Sequence, residues 1–191
     1  MNELDERYST AEEAIIGAFF AMCKDKAFEK ITVADIVNKS GVVRSTFYNH
    51  YENIPSLIEA VEDKTISDIF SIMEGFHAKD DSQLCHSFFQ AICDYTKNNP
   101  FLTSLLHSPR GGSFLEKIIL MFHKYVAKVS EDISIDIKNK QQYAFYIAAI
   151  IGTNLGVLHK WTAEDCSTSS EEVADILTTV FLKGVLPYIN N

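Results

Sequence analysis

The sequence predicts an all-α protein with a three-helix head over residues 1–54 and a larger helical body over residues 55–191. Three observations support this fold class. Apolar residues recur at spacings of three and four along most of the 191 residues, which is the period of an amphipathic helix. No segment shows the strict alternation of apolar and polar residues that a half-buried strand requires. With four prolines and eight glycines, the chain contains few signals for turns.

The composition excludes several classes of protein. A hydrophobic content of 47% rules out a disordered chain. The acidic N-terminus, MNELDERYST, lacks the apolar core of a signal peptide. No apolar run reaches the ~18 residues that a membrane span requires. The four scattered cysteines form no CxxC pair and are expected to be reduced, mostly buried thiols. A cytoplasmic location, with no membrane partner, is therefore expected.

The first two predicted helices belong to the head. The first covers residues 10 to 24, where apolar side chains repeat at helical spacing: Ala14, Ile15, Ala18, Phe19 and Met22. The second lies in ITVADIVNKSG. Thr32 and Asp35 form a capping-box pattern at its start, with Asp in place of the usual Glu or Gln. Gly41 ends this helix, since glycine tolerates the left-handed conformation beyond a helix C-terminus.

The third predicted helix covers residues 43 to 50. It follows so closely on the second that the two must cross steeply, which makes a helix-turn-helix. Val42, Phe47 and Tyr51 share one face and are expected to pack on the preceding helices. The opposite face carries donors, acceptors and one cation, and a helix of about two turns fits the major groove of DNA. The candidate DNA-binding residues on this face are Val43, Arg44, Ser45, Thr46, Tyr48, Asn49 and His50.

Two considerations weigh against DNA as a partner. A polar face can also belong to a solvated surface helix, although Glu and Lys at helical spacing would be more typical of one. The chain also has a net charge of -9, whereas binding DNA means neutralising phosphates. Between residues 30 and 50, however, Lys30, Lys39 and Arg44 face a single Asp35, so this window has a net charge of +2. A site-specific DNA reader is compatible with that local charge.

The run from residue 11 to residue 57 resembles the DNA-binding domain of TetR (tetracycline-repressor) type regulators. The landmarks are Phe28, Thr32, Ala34, Ile36, Val37, Gly41, Val42, Thr46, Phe47, Tyr48, His50, Tyr51 and Leu57. The resemblance implies that Thr32, Tyr48 and His50 contact phosphates, while the first residues of the third helix read bases. One position departs from the family, which commonly has a Lys where this chain has Ile54. This departure predicts weaker phosphate anchoring there, although Asn53 remains as a helix N-cap.

The body is predicted to contain five or more further helices. Apolar stripes mark residues 57 to 73, residues 84 to 95 and residues 114 to 125. The second of these helices stops at Asn98-Asn99-Pro100, and a short apolar piece, FLTSLL, follows it. The last two predicted helices, residues 141 to 161 and 170 to 188, are the most apolar.

Those last two helices are apolar on more than one face, which indicates either full burial or an interface. From the residues alone, a monomeric core and a dimer interface are comparable interpretations. The resemblance implies a homodimer, because in that family the two C-terminal helices form a four-helix interface with their symmetry mates. The candidate interface residues are Ala148, Gly152, Leu155, Ile176 and Val180. A dimer would bind a palindromic double-stranded operator.

The resemblance also implies a small-molecule effector, because family members typically have an inducer cavity in the body. Most aromatic residues of the body are expected to be plain core. The candidate ligand-binding residues are Phe88, Phe89, Tyr95, Phe122 and Trp161, with polar contributions from residues such as His86, His107 and His123.

The sequence contains no motif of a known enzyme class: GxSxG, the P-loop, HExxH and GxGxxG do not occur. Its histidines and cysteines lack metal-ligand spacing, so no metal and no cofactor are predicted. The predicted function is that of a sequence-specific DNA-binding regulator, a repressor released by a small ligand. The alternatives are an activator or ligand-independent regulator, or an all-α protein-interaction module that has lost DNA binding.

Overall fold

A computed structural model describes residues 3–74, 82–133 and 140–185. These residues form nine α-helices and no β-strand, which confirms the all-α prediction. The helices are α1 (Glu3–Cys23), α2 (Val33–Ser40), α3 (Arg44–His50), α4 (Ile54–Glu74), α5 (Ser82–Asn98), α6 (Pro100–Leu106), α7 (Gly111–Ile133), α8 (Lys140–Ala163) and α9 (Ser170–Val180). A 3-10 turn, Phe28–Lys30, precedes α2, and a π-helical turn, Phe181–Val185, continues α9. The C-terminal end of the last predicted helix lies outside the described residues.

Local signals in the sequence set the ends of the helices in the head. The Thr32 hydroxyl accepts a hydrogen bond from the Asp35 amide, and the Asp35 carboxylate accepts one from the Thr32 amide, so the capping box is present. Gly41 follows α2 with a φ of 75°, which is a left-handed conformation. The Asn53 side chain accepts a hydrogen bond from the Ser56 amide at 2.9 Å, and it therefore caps α4 as predicted.

The chain divides into two compact units. The first comprises Met1–Asp68 and Asn99–Ser104, and the second comprises Ile69–Asn98 and Leu105–Asn191. The boundary between Asp68 and Ile69 falls within α4, so this helix contributes residues to both units. The division into a DNA-binding domain over residues 1–54 and an effector-binding and dimerisation domain over residues 55–191 stays a prediction.

The core of the first unit is rich in phenylalanine. The Phe101 ring lies 5.6 Å from the Phe19 ring and 5.2 Å from the Phe28 ring, measured between centroids, and all three side chains are fully buried. The fully buried apolar side chains of this unit are Ile15, Phe19, Phe28, Ile36, Phe47, Leu57, Val61 and Phe101. Apolar burial of this kind is the main force that holds a helical head together.

A hydrophobic core cluster of the second unit joins α5, α8 and α9. Its buried residues are Cys85, Phe89, Cys93, Leu158, Trp161, Val173, Ala174, Leu177 and Phe181. The Trp161 indole donates a hydrogen bond to the Thr168 carbonyl at 2.9 Å. This bond ties α8 to the turn before α9, where Asp165 and Cys166 both have left-handed φ angles, of 52° and 51°. A second capping box, formed by Ser169 and Glu172, starts α9.

Three of the four cysteines are buried free thiols. Cys23, Cys85 and Cys93 are free and buried, as predicted, and burial raises the pKa of Cys23 and of Cys93 to about 12. Within the three described ranges, no helix combines the length and the hydropathy needed to cross a membrane.

Candidate nucleic-acid interface

Helix α3 is held in the first unit by two aromatic side chains. Phe47 is fully buried and Tyr51 nearly so, and their ring centroids lie 6.0 Å apart. This is the inward face that the spacing in the sequence predicts. The Tyr51 hydroxyl donates a hydrogen bond to Glu12 Oε1 at 3.0 Å. Burial, followed by the charge of Glu12, raises the Tyr51 pKa, so the phenol keeps its proton and remains a donor.

The outward face of α3 presents the predicted DNA-binding residues to solvent. Val43, which is the N-cap residue of α3, is 64% exposed, and Tyr48 is 47% exposed. Arg44, Ser45 and Asn49 are exposed as well, while Thr46 and His50 are half-buried. The outward face therefore combines a cation, hydroxyls and an amide, while Phe47 and Tyr51 hold the opposite face of the helix in the core.

Arg44 and Tyr48 interact with each other one helical turn apart. The guanidinium carbon lies 5.8 Å from the centre of the Tyr48 ring, and Arg44 Nη2 donates to the Tyr48 hydroxyl at 3.4 Å. The long Arg side chain is thereby held along the exposed edge of α3. Both groups remain exposed, so they can exchange this weak contact for a base edge or a phosphate.

The C-terminal end of α3 is covered by α1, which the sequence did not indicate. The Tyr8 ring lies 3.8 Å from the His50 ring, and the Tyr8 hydroxyl donates to the Asn49 carbonyl at 3.3 Å. Within the described residues, the buried His50 Nδ1 has no hydrogen-bond partner. Orphaned buried N–H groups are rarer in proteins than unpaired acceptors, so this burial favours the His50 tautomer with its proton on Nε2.

Thr32 occupies the start of α2 and is exposed. Its oxygen accepts the capping bond from the Asp35 amide, which leaves the hydroxyl proton available to donate to an anion. Lys26 Nζ lies 2.6 Å from Asp35 Oδ2, an ion pair that fixes the first turn of α2. The hydrogen bond from Lys26, with those from Thr32, lowers the pKa of Asp35 to about 2, so the carboxylate is ionised at neutral pH.

Comparison with known proteins identifies the family. A family model of TetR type, described as the C-terminal region of transcriptional regulators, matches residues 84–183, slightly more than half of the chain. The chain belongs to the TetR family of transcriptional regulators. This finding confirms the resemblance that the head predicts, and it does so from the body, which the sequence motifs did not cover.

A curated relative is similar to part of the chain. The nucleoid occlusion factor SlmA of Idiomarina loihiensis is 28% identical over 105 residues, which cover 53% of this chain and 53% of SlmA. The match therefore spans about half the length of that relative.

Solved structures share the fold at low sequence identity. A TetR-family transcriptional regulator from Streptomyces coelicolor matches with a TM-score of 0.67 and 12% identity, over 90% of this chain and 78% of that one. The regulator FadR from Bacillus subtilis, in complex with stearoyl-CoA, matches with a TM-score of 0.66 and 14% identity, over 93% of this chain and 99% of that one.

The predicted dimer-interface residues of this TetR-family chain lie on exposed parts of α8 and α9. Ile176 is 51% exposed and Val180 is 38% exposed, while Gly152 is exposed, and a Cβ added there would meet no heavy atom within 4 Å. Ala148 and Leu155 are half-buried. Phe145, which the interface prediction did not include, is 70% exposed and lies on the same face of α8 as Gly152, seven residues away.

The predicted ligand-binding residues occupy different surroundings in the second unit. Phe89 and Trp161 are buried members of its core, and Phe88 packs against that core. Tyr95 and Phe122 are half-buried and are not members of that core cluster. The structure thus brings three of the five residues together in tight packing.

A groove of about 490 Å³ lies elsewhere in the second unit, between α5 and the end of α9. It is lined by Ser82, Gln83, His86, Asp175, Thr178, Thr179, Leu182 and Lys183, none of which is among the five predicted ligand-binding residues, although His86 is one of the polar contributors suggested by the sequence. The His86 and Asp175 side chains approach to 3.2 Å in this groove.

Proposed function

We propose that this TetR-family protein is a sequence-specific DNA-binding transcription regulator that inserts α3 into the major groove. The observation that carries the proposal is the division of α3 into two faces. Phe47 and Tyr51 anchor the helix from within, and the opposite face presents exposed hydrogen-bonding groups beside an exposed cation. A solvated surface helix more typically carries Glu and Lys at helical spacing than this set of hydroxyl, amide and guanidinium groups. The major groove of DNA displays donors and acceptors on its base edges that are complementary to these groups.

The residues of the head divide into two proposed roles. Arg44, with Ser45 and Thr46 in the same first turn, would reach the base edges, since the N-terminal residues of a recognition helix enter the groove. Arg44 is the strongest candidate for specificity, because a guanidinium pairs with the two acceptors of guanine. Val43 offers an apolar contact, suited to a thymine methyl group.

The second role is contact with the DNA backbone, which positions the head without reading sequence. We assign it to Thr32, Tyr48 and His50. The Thr32 hydroxyl and the Tyr48 hydroxyl both lie on exposed residues that can donate to phosphate oxygens. In its favoured tautomer His50 has a proton on Nε2, which is likewise a donor. Asn49, which lies between Tyr48 and His50 in the sequence, is the last residue that we assign to this second role.

The proposed functional form is a homodimer on a palindromic operator in the cytoplasm. It is supported by the exposed apolar residues Phe145, Ile176 and Val180 and by the open space around Gly152, where a second helix can approach closely. Two heads in a dimer bind half-sites about one DNA turn (~34–36 Å) apart. The proposed interface runs through Ala148, Gly152, Leu155, Ile176 and Val180. A two-fold interface uses the same surface on both copies, and it would give the two heads the symmetry of a palindrome.

Repression released by a small ligand is the proposed mode of regulation. Because α4 runs without a break from Ile54 to Glu74, a ligand in the body that shifts this helix would change the spacing of the two heads. The proposed site involves Phe88, Phe89, Tyr95, Phe122 and Trp161. Such a ligand must bind the DNA-incompetent state more tightly, or the equilibrium does not shift. FadR, whose structure contains stearoyl-CoA, supports an effector with a long apolar part.

A mobility-shift assay on the DNA upstream of the protein's own gene tests the proposed function. We expect a shifted complex that survives an excess of unrelated competitor DNA. A chain that binds the upstream fragment and the competitor equally would contradict sequence-specific recognition.

A further inference from the structure

Two histidines that are far apart in sequence meet on the surface of the second unit. His107 directly follows α6, and His159 lies near the C-terminal end of α8. Their ring centroids are 4.4 Å apart, and the rings are inclined at 48°. Both residues are exposed. The pair lies outside the DNA-binding head, and neither histidine is one of the five residues proposed for the ligand site, although the sequence suggests His107 as a polar contributor to it.

The hydrogen bonds of His107 determine which of its nitrogens carries the proton. Its Nε2 lies 2.9 Å from the hydroxyl oxygen of Thr162. That hydroxyl has one proton, which it donates to the Leu158 carbonyl at 2.8 Å. When this proton goes to the Leu158 carbonyl, the Thr162 oxygen accepts from His107, so that Nε2 carries the ring proton and Nδ1 bears the lone pair.

This arrangement matches the way proteins prepare a histidine for a metal ion. A ligating imidazole coordinates through one nitrogen and donates the N–H of the other to a fixed acceptor, which orients the ring. Thr162 is that acceptor for His107.

The distance between the rings suits a shared ion. With metal–nitrogen bonds of about 2.0–2.1 Å, two imidazoles on one ion place their ring centroids roughly 4.5 Å apart at a right-angled coordination angle and roughly 5.2 Å apart at a tetrahedral one. The observed 4.4 Å matches the right-angled arrangement, and the two rings would have to move apart to hold a tetrahedral ion. Within the described residues, no protein group forms a hydrogen bond with the ring nitrogens of His159. The adjacent Lys160 is paired with Glu164 at 2.6 Å, which offsets its positive charge.

We propose that His107 and His159 form a two-imidazole site for a divalent first-row transition-metal ion, such as Zn²⁺ or Ni²⁺, oriented by Thr162. Imidazole nitrogen is a preferred ligand of these ions. In the part of the chain that the structure describes, no group of three or more His, Cys, Asp or Glu residues could hold a metal, so water completes the coordination here. The site links the turn after α6 to α8, and it is independent of DNA binding.

Titration calorimetry of the tag-free full chain with zinc chloride, and separately with nickel chloride, tests the site. We expect one ion per chain for the parent protein and loss of that binding in both His107→Ala and His159→Ala. His86→Ala is the matched control, since His86 is a histidine of the same unit that pairs with Asp175 instead. It should bind the metal like the parent protein.

Thr162→Val separates an oriented site from two adventitious histidines. Removing the acceptor of the Nε2 proton should weaken metal binding about 10–100-fold, as loss of an orienting partner does in known sites. His159 is exposed and its ring forms no hydrogen bond within the described residues, so His159→Ala keeps the fold, which circular dichroism verifies. The proposal is overturned if the parent protein binds neither ion, or if His159→Ala binds as the parent does. Loss of binding in His86→Ala alone would assign the ion to the groove between α5 and α9.

Discussion

The Tyr8 ring stacks on the His50 ring with 3.8 Å between their centroids, and it joins the N-terminal half of α1 to the end of α3. The Tyr8 hydroxyl adds a hydrogen bond to the Asn49 carbonyl. One helical turn further along α1, Glu12 accepts the hydroxyl proton of Tyr51. These contacts fix the last turn of α3 from outside, while the burial of Phe47 fixes its middle from inside.

Replacing Tyr8 should therefore weaken operator binding through the position of α3. An aromatic pair contributes about 0.5–1.5 kcal/mol, so we expect Tyr8→Ala to lower the operator affinity roughly two- to tenfold. Tyr8→Phe keeps the stacked ring and should restore most of that loss. Fluorescence anisotropy with labelled DNA measures the effect. Because Tyr8 is half exposed, the thermal midpoint of Tyr8→Ala should fall by only a few degrees, and that of Tyr8→Phe should stay near that of the parent protein. Equal affinities for Tyr8→Ala and the parent would show that α3 needs no support from α1.

Arg44 and Tyr48 should affect DNA binding in different ways. If Arg44 pairs with a guanine, Arg44→Ala should cost about 1–3 kcal/mol on the operator and relax the preference for one base. Tyr48→Phe removes a phosphate donor and should weaken binding to all sequences alike. Competition with operator variants that differ at single positions distinguishes the two outcomes. The assignment of α3 is wrong if both variants bind the operator as well as the parent protein.

The head was largely predictable because its determinants are local. The capping box of Thr32 and Asp35 and the glycine stop at Gly41 depend on residues within one turn, and both are present. The burial of Phe47 follows from its spacing with Tyr51. By contrast, Tyr8 lies 42 residues before His50, and no periodicity connects the two positions. The same holds for Lys26, which reaches Asp35 only because the 3-10 turn between them brings the chain back.

The body was less predictable because aromatic spacing does not distinguish a packed core from the wall of a cavity. Phe89 and Trp161 fit either interpretation in the sequence, and their packing depends on the turn before α9. The burial of Cys166 also depends on tertiary packing that its neighbours in the sequence do not reveal. The acidic neighbours in its loop predict a raised thiol pKa, and the pKa is raised, but burial is the main cause. The charge of Lys97 lowers this pKa, and the charge of Asp165 is only the third contribution.

The ion pair between Lys26 and Asp35 should make the stability of the head depend on pH. The pKa of Asp35 is about 2 in the folded protein, below its ordinary value of 3.8. Its contribution is therefore fully present above about pH 4 and is lost as the pH falls through 2. We expect Asp35→Asn to lower the thermal midpoint at pH 7, with a difference from the parent that shrinks below pH 4. A difference independent of pH would contradict the ion pair.

A charge on the exposed face of α8 should break the proposed dimer without unfolding the chain. Gly152→Asp places an unpaired ion in the interface, whereas in a single chain its Cβ meets no atom within 4 Å. Gly17→Asp is the matched control, because Gly17 is also an exposed mid-helix glycine with no atom within 4 Å of a Cβ. Light scattering should give a monomer mass for Gly152→Asp and a dimer mass for Gly17→Asp and the parent protein. A monomeric parent that retains full operator affinity would contradict the proposed interface.

The central claim, that a dimer reads DNA through α3, is tested most directly by footprinting the protein on the DNA upstream of its own gene. We expect two protected half-sites of a palindrome, centred about one helical turn (~34–36 Å) apart, with protection reduced for Arg44→Ala. Protection should also weaken as the salt concentration rises, since phosphate contacts release counterions. No discrete footprint from the folded, dimeric parent protein at micromolar concentration, or the same footprint from the double variant Arg44→Ala/Tyr48→Phe, would contradict the claim.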